Sequence, residues 1–139
     1  MKYYICLLFA FLSLVIIRPA TYATQAVRTP QTVISGHGWS YTVPFVVKNK
    51  EAIEKLIQCE SSGVNISRVD SGRIFSDGIL QFHRGPLNTM VSSTWESFSK
   101  ASHISGSPIV PADAIKMTDW ALSHNLGSHW TCYRKLHLK

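Results

Sequence analysis

Acidic side chains are scarce in this chain: eight Asp and Glu stand against fourteen Lys and Arg in 139 residues. The basic excess is spread along the sequence with no run of like charge. That distribution lacks the clustered cationic face of a nucleic-acid-binding protein and leaves two roles, attraction to an anionic surface such as a cell wall or plain solubility. Cysteine is equally sparse. Of the three, Cys6 lies early in an N-terminal apolar run, and Cys59 and Cys132 have no partner at metal-ligand spacing, which argues against zinc. His124 and His129 are five apart and make no metal pair; surface histidines are expected there. The stretch "GHGWS" at 36–40 lacks the G-x-S-x-G register of a serine nucleophile turn. There is no internal repeat and no low-complexity tract. Neither a metal nor a cofactor is expected.

Long apolar runs are confined to the N-terminus. Lys2 is followed by an apolar stretch from Tyr3 to Ile17, then by Pro19 and the small residues of "ATYA" ending at Ala23. This order predicts a secretory signal peptide over 1–23. The rival reading is a retained membrane anchor, because the run is about as long as the shortest spanning helices. Removing Lys2 and Arg18 leaves twelve basic and eight acidic residues in the remaining 116, a net charge of +4 and enough chain for one domain. In an exported protein the even pair Cys59 and Cys132 reads as a disulfide, the alternative being two free thiols. The closed loop of about 70 residues would contribute about 4 kcal/mol in the chain-entropy model.

Residues 24–47 are rich in Thr, Ser, Val, Gly and Pro without a helical period. They predict an extended arm with a short strand at 41–47, ahead of a domain over 48–139. The first helix is expected from Lys48 or Asn49 to Cys59 or Glu60, with Asn49 as N-cap and Glu51 and Glu54 near the positive end of the dipole. Asp70-Ser71-Gly72 then marks a turn between two β-prone segments, 64–69 and 74–82. Ser93 and Glu96 form a capping box before a second helix. Pro111 suits the first turn of a third helix over 112–125, stopping near Gly127. The tail "SHWTCYRK" returns Cys132 to the first helix. The fold class predicted is α+β, mainly helical, with one small β-hairpin.

One carboxylate stands out by position. Ile53, Leu56 and Ile57 fall on a single helical face, and Glu60, at i+7 from Ile53, shares it at the C-terminal end. A carboxyl there is partly desolvated and meets the negative end of the dipole, and both effects raise its pKa. That is what a general acid needs at neutral pH. The bland alternative is a glutamate that swings into water where the helix frays.

The ordered strings "CESSG", "DGILQF", "TWESF", "PADAIKMTDWAL" and "GSHWTCY" resemble the catalytic domain of resuscitation-promoting factors, and more broadly the lysozyme-like and soluble lytic transglycosylase superfamily. The likeness covers about residues 53–133. It implies a lysozyme-like fold with Glu60 as the catalytic acid, Gln81 lining the sugar cleft, Trp95 on the following helix, and Cys59–Cys132 as the family's disulfide. The implied reaction is cleavage of the β-1,4 bond between N-acetylmuramic acid and N-acetylglucosamine in peptidoglycan. A lytic transglycosylase manages with one carboxyl; the usual glycosidase needs two. Asp77 is the candidate second carboxylate or substrate contact, its alternative being an Asp-Gly turn residue.

Gln81 could instead face water, and Trp95 and Trp130 could stack on sugars or fill the core. Core packing is expected for Trp130 and Trp120. The chain departs from the family pattern by a connection of eleven residues, 83–93, between Phe82 and Thr94, and by a single Gly78 where a Gly-Gly pair is common. The connection reads as a solvated loop or as a rim that brings Arg84 to substrate carboxylates. The expected partner is the peptidoglycan glycan strand, met by a monomer at the cell wall or in the periplasm. No nucleic acid is expected, and a membrane only if the leader is retained. Two alternatives stay open: a non-catalytic wall-binding or signalling module, and a tethered accessory that opens the wall for a larger assembly.

Overall fold

The computed structural model describes residues 29–70, 74–84 and 94–138. The predicted leader, Ser71-Gly72 of the predicted turn, Ser93 of the capping box and the greater part of the 83–93 connection lie outside them. In chain order the elements are β1 (Thr32–Gly36), β2 (Trp39–Val43), α1 (Lys50–Ser61), β3 (Ser67–Asp70), β4 (Ile74–Asp77) and β5 (Phe82–Arg84). Then follow α2 (Thr94–Ser102), α3 (Pro111–Ser123), a 3₁₀ turn (Gly127–His129) and α4 (Thr131–Lys135). The class is mixed α+β with two small antiparallel sheets, and one disulfide, Cys59–Cys132, links α1 to α4.

α1 organises the core because its apolar positions recur on one face: Ile53, Leu56 and Ile57 are fully buried. Asn49 occupies the N-cap position but makes no side-chain cap bond. Its amide instead donates to the Asp119 carboxylate (2.9 Å) and to Ser123 Oγ (3.0 Å) on α3, while Asp119 also accepts the Asn49 N–H (2.7 Å). A residue read as a local cap is therefore a tie between two helices distant in sequence. α3 starts with Pro111 in its first turn, where the missing N–H costs nothing, and buries Ala114, Ile115, Met117 and Ala121 against the same core.

The expected extended arm is a hairpin. β1 and β2 pair antiparallel from Thr32↔Val43 to Gly36↔Trp39, and Ile34 and Val43 are buried in the common core. Thr32 Oγ1 donates to the Phe45 carbonyl (2.8 Å) and accepts the Val47 N–H (3.2 Å), so the stretch placed as a strand at 41–47 bends back after Val43. The Trp39 ring lies over Gly63 at the end of α1, where an added Cβ would stand 2.1 Å from it, and its Nε1 donates to Gln58 Oε1 (2.9 Å).

The second sheet has three strands in the order β3-β4-β5, one more than the expected hairpin. β4 stops at Asp77 because the chain turns through Gly78 (φ +75°) and Gln81 (φ +47°) before β5 returns. Gly78 has no substitute here: a Cβ would lie 1.9 Å from the Pro108 carbonyl oxygen. His83 pairs with Ser76 and so belongs to β5, not to a loop after Phe82. Phe82 then meets Trp95, Phe98 and Trp130 in near-perpendicular ring contacts with centroids at 5.0, 6.5 and 5.3 Å.

Candidate active site

Glu60 is fixed from three directions. Ser61 anchors the end of α1 to the β4–β5 turn: its Oγ donates to the Ile79 carbonyl (2.7 Å) and accepts the Gly63 N–H (3.2 Å). Ser62 then takes a left-handed conformation (φ 53°), its N–H closing on the Gln58 carbonyl, and stops the helix. On the other side, Cys59 and Cys132 are bonded with Cα atoms 6.0 Å apart. The backbone N–H of Cys132 donates to Glu60 Oε1 at 3.2 Å. The carboxyl is thus held half-buried and does not fray into solvent.

Burial pushes the Glu60 carboxyl above the ordinary glutamate range; the Cys132 N–H and a positive charge on His83 pull the other way without cancelling it. The crevice in front of it is lined by Gln81, Phe82, His83, Thr94, His129, Trp130 and Thr131. It encloses about 20 Å³, room for a water-sized group, so a sugar would lie across its rim rather than inside it. A roomier hollow of about 720 Å³ beside the first turns of α1 is walled by Lys48, Lys50, Lys55, Glu51 and Glu54. There Lys55 meets Glu51 at 2.6 Å and holds that exposed carboxyl below its usual range, which suits a surface ion pair rather than an acid. Chemistry, not size, selects the Glu60 crevice.

The other residues singled out by sequence are distributed unevenly. Gln81 is buried and lines the crevice, but its Nε2 donates to the carbonyls of Gly78 (2.6 Å) and Ile66 (3.0 Å), which fixes the turn. Only its carbonyl oxygen is left to meet a ligand. Asp77 is buried away from the crevice lining and accepts a hydrogen bond from Ser67 Oγ at 2.5 Å. Among the described residues, Glu60 is the one carboxylate that lines the crevice.

Trp95 is 8% exposed and packed on Phe82, a core position that offers no open ring face to a sugar. Trp130 is also in the core, with Nε1 donating to the Leu80 carbonyl (2.9 Å), and it forms part of the crevice lining. Trp120 is partly buried, with its ring centroid 5.8 Å from Phe98.

Sequence reasoning missed His83, Thr94, His129 and Thr131 as neighbours of Glu60. His129, expected at the surface, is exposed, yet its ring stands perpendicular to Phe98 with centroids 4.9 Å apart. The available signal was proximity in sequence to Trp130 and Cys132, which the disulfide carries to α1. Among the described residues no group of three His, Cys, Asp or Glu converges as a metal site, and no helix is long and apolar enough to cross a membrane. Comparison with protein-family models, curated proteins and solved structures gives no match.

Proposed function

We propose that the protein is a lysozyme-like glycosidase of the lytic transglycosylase type, acting on the β-1,4 bond between N-acetylmuramic acid and N-acetylglucosamine in peptidoglycan. The observation that carries this reading is the half-buried Glu60 carboxyl, held by the Cys132 N–H and raised in pKa by desolvation. A carboxyl whose pKa is raised keeps its proton to higher pH than an ordinary glutamate, which favours delivery to a leaving oxygen. As the C1–O bond breaks, Glu60 protonates the departing 4-oxygen and the muramyl 2-acetamido oxygen closes on C1. The resulting Glu60 carboxylate then takes the proton of the 6-hydroxyl, whose oxygen displaces the acetamide and leaves a 1,6-anhydro end. One carboxyl suffices in this scheme, which agrees with the placement of Asp77 away from the crevice.

The peptidoglycan-binding module without turnover is the second reading, and the small volume of the crevice favours it. Mass spectrometry of glycan strands digested by the wild type and by Glu60→Gln decides between them. Anhydro ends from the wild type alone support the lyase, reducing ends support a hydrolase, and equal release by both proteins removes Glu60 from the mechanism. No release by either leaves the binding module.

A further inference from the structure

The chain places two imidazoles on the rim of the Glu60 crevice, from elements 46 positions apart in sequence. His83 comes from β5, its backbone fixed by pairing with Ser76. His129 comes from the 3₁₀ turn, its ring oriented by the perpendicular contact with Phe98 at 4.9 Å. Both side chains are exposed, and among the described residues Glu60 is the one acidic group that lines the crevice. Thr94 and Thr131 add hydroxyls to the lining. A polar rim with two cation-capable groups and one proton donor at its centre suits a sugar that carries an anion near the bond to be cut.

We propose that His83 and His129 determine the specificity of this site by binding a substrate carboxylate beside the scissile bond, so that the enzyme discriminates muramyl-containing strands from polymers of N-acetylglucosamine alone. The proposal rests on the glycosidase reading above and goes beyond it by assigning substrate choice to two residues. The carboxylate has two sources, the free lactyl group of peptide-free strands and the carboxylates of stem peptides.

The test compares cleavage of peptide-free glycan strands, peptide-bearing strands and an N-acetylglucosamine homopolymer by the wild type, His83→Gln and His129→Gln. The wild type is expected to prefer one or both muramyl substrates. Each substitution should lower kcat/KM on the preferred substrate about tenfold, mostly through KM, and lower it by clearly less on the homopolymer, so that the wild-type preference narrows. The better of the two muramyl substrates identifies the source of the carboxylate. Equal wild-type rates on all three polymers, or equal losses on all three in both variants, overturn the proposal.

If the wild type cleaves nothing, the glycosidase reading fails, and binding still tests the histidines. Ring resonances of His83 and His129 should then shift on titration with N-acetylmuramic acid and not with N-acetylglucosamine. Shifts with both sugars or with neither overturn it. Thermal melts of the two variants identify any loss that is merely structural.

Discussion

Replacing Cys59 and Cys132 together with alanine removes the one covalent constraint between α1 and the C-terminal turn of the chain. The two residues are 73 apart in sequence, and closing a loop of that length restricts the unfolded chain by about 4 kcal/mol. That is a large share of the ~5–15 kcal/mol typical of a small domain. With a urea m-value of about 2 kcal/mol/M, the unfolding midpoint should fall by on the order of 2 M. The assay is urea denaturation followed by tryptophan fluorescence, for the oxidised wild type and the double variant. Trp130, two residues before Cys132, reports on the same end of the fold. A fall of less than about 1 kcal/mol with an unchanged m-value would refute the reasoning, because the crosslink would then not be restricting the unfolded state.

Further substitutions probe the core and the site. Phe82→Ala removes the ring shared by Trp95, Phe98 and Trp130 and should cost about 3–5 kcal/mol in chemical denaturation, with loss of near-UV circular dichroism. Gly78→Ala meets a positive φ and the Pro108 carbonyl, so the melting temperature should drop by the equivalent of more than about 1 kcal/mol. Gln81→Ala leaves the Ile66 and Gly78 carbonyls without their side-chain donor. It should cost about 1–3 kcal/mol of stability, so any loss of activity has to be measured well below its melting temperature.

Glu60→Gln tests the raised pKa through stability. The folded state binds this proton more tightly than the unfolded chain, so wild-type stability contains a favourable contribution at low pH. That contribution is lost as pH rises from the ordinary carboxyl range through the raised value. Relative to wild type, the variant should gain stability across that window and hold a constant advantage above it. Thermal melts at a series of pH values measure the difference, and a pH-independent gap would contradict the assignment.

The parts of this fold that were legible in sequence are those decided locally. The stripe Ile53, Leu56, Ile57 fixed the buried face of α1 and put Glu60 on it, and Pro111 marked the start of α3. What escaped depends on long-range packing. Ile34 and Val43 are core residues only because β1 and β2 fold onto α1. The alternation of Trp39, Tyr41 and Val43 with Ser40 and Thr42 marks one strand, but not the partner strand or the helix it packs on. β5 has three residues, too few for a period that would mark His83 as part of a strand. Trp95 could serve a sugar or a core with the same local sequence, and its packing on Phe82 decided for the core. Asn49 had the composition of a cap but found a stronger partner in Asp119, 70 residues away. The lining of the crevice is of the same kind: His83 and His129 become neighbours of Glu60 only through the second sheet and the disulfide.

A proton resident on Glu60 is the premise of the whole mechanism, and it can be observed without substrate. Site-resolved carbon NMR of the side-chain carboxyl across an acid-to-neutral titration gives its midpoint directly. The account predicts a value above the ordinary glutamate range for the oxidised protein. A midpoint at or below that range would show the acid ionised when the leaving oxygen needs a proton, and would contradict it.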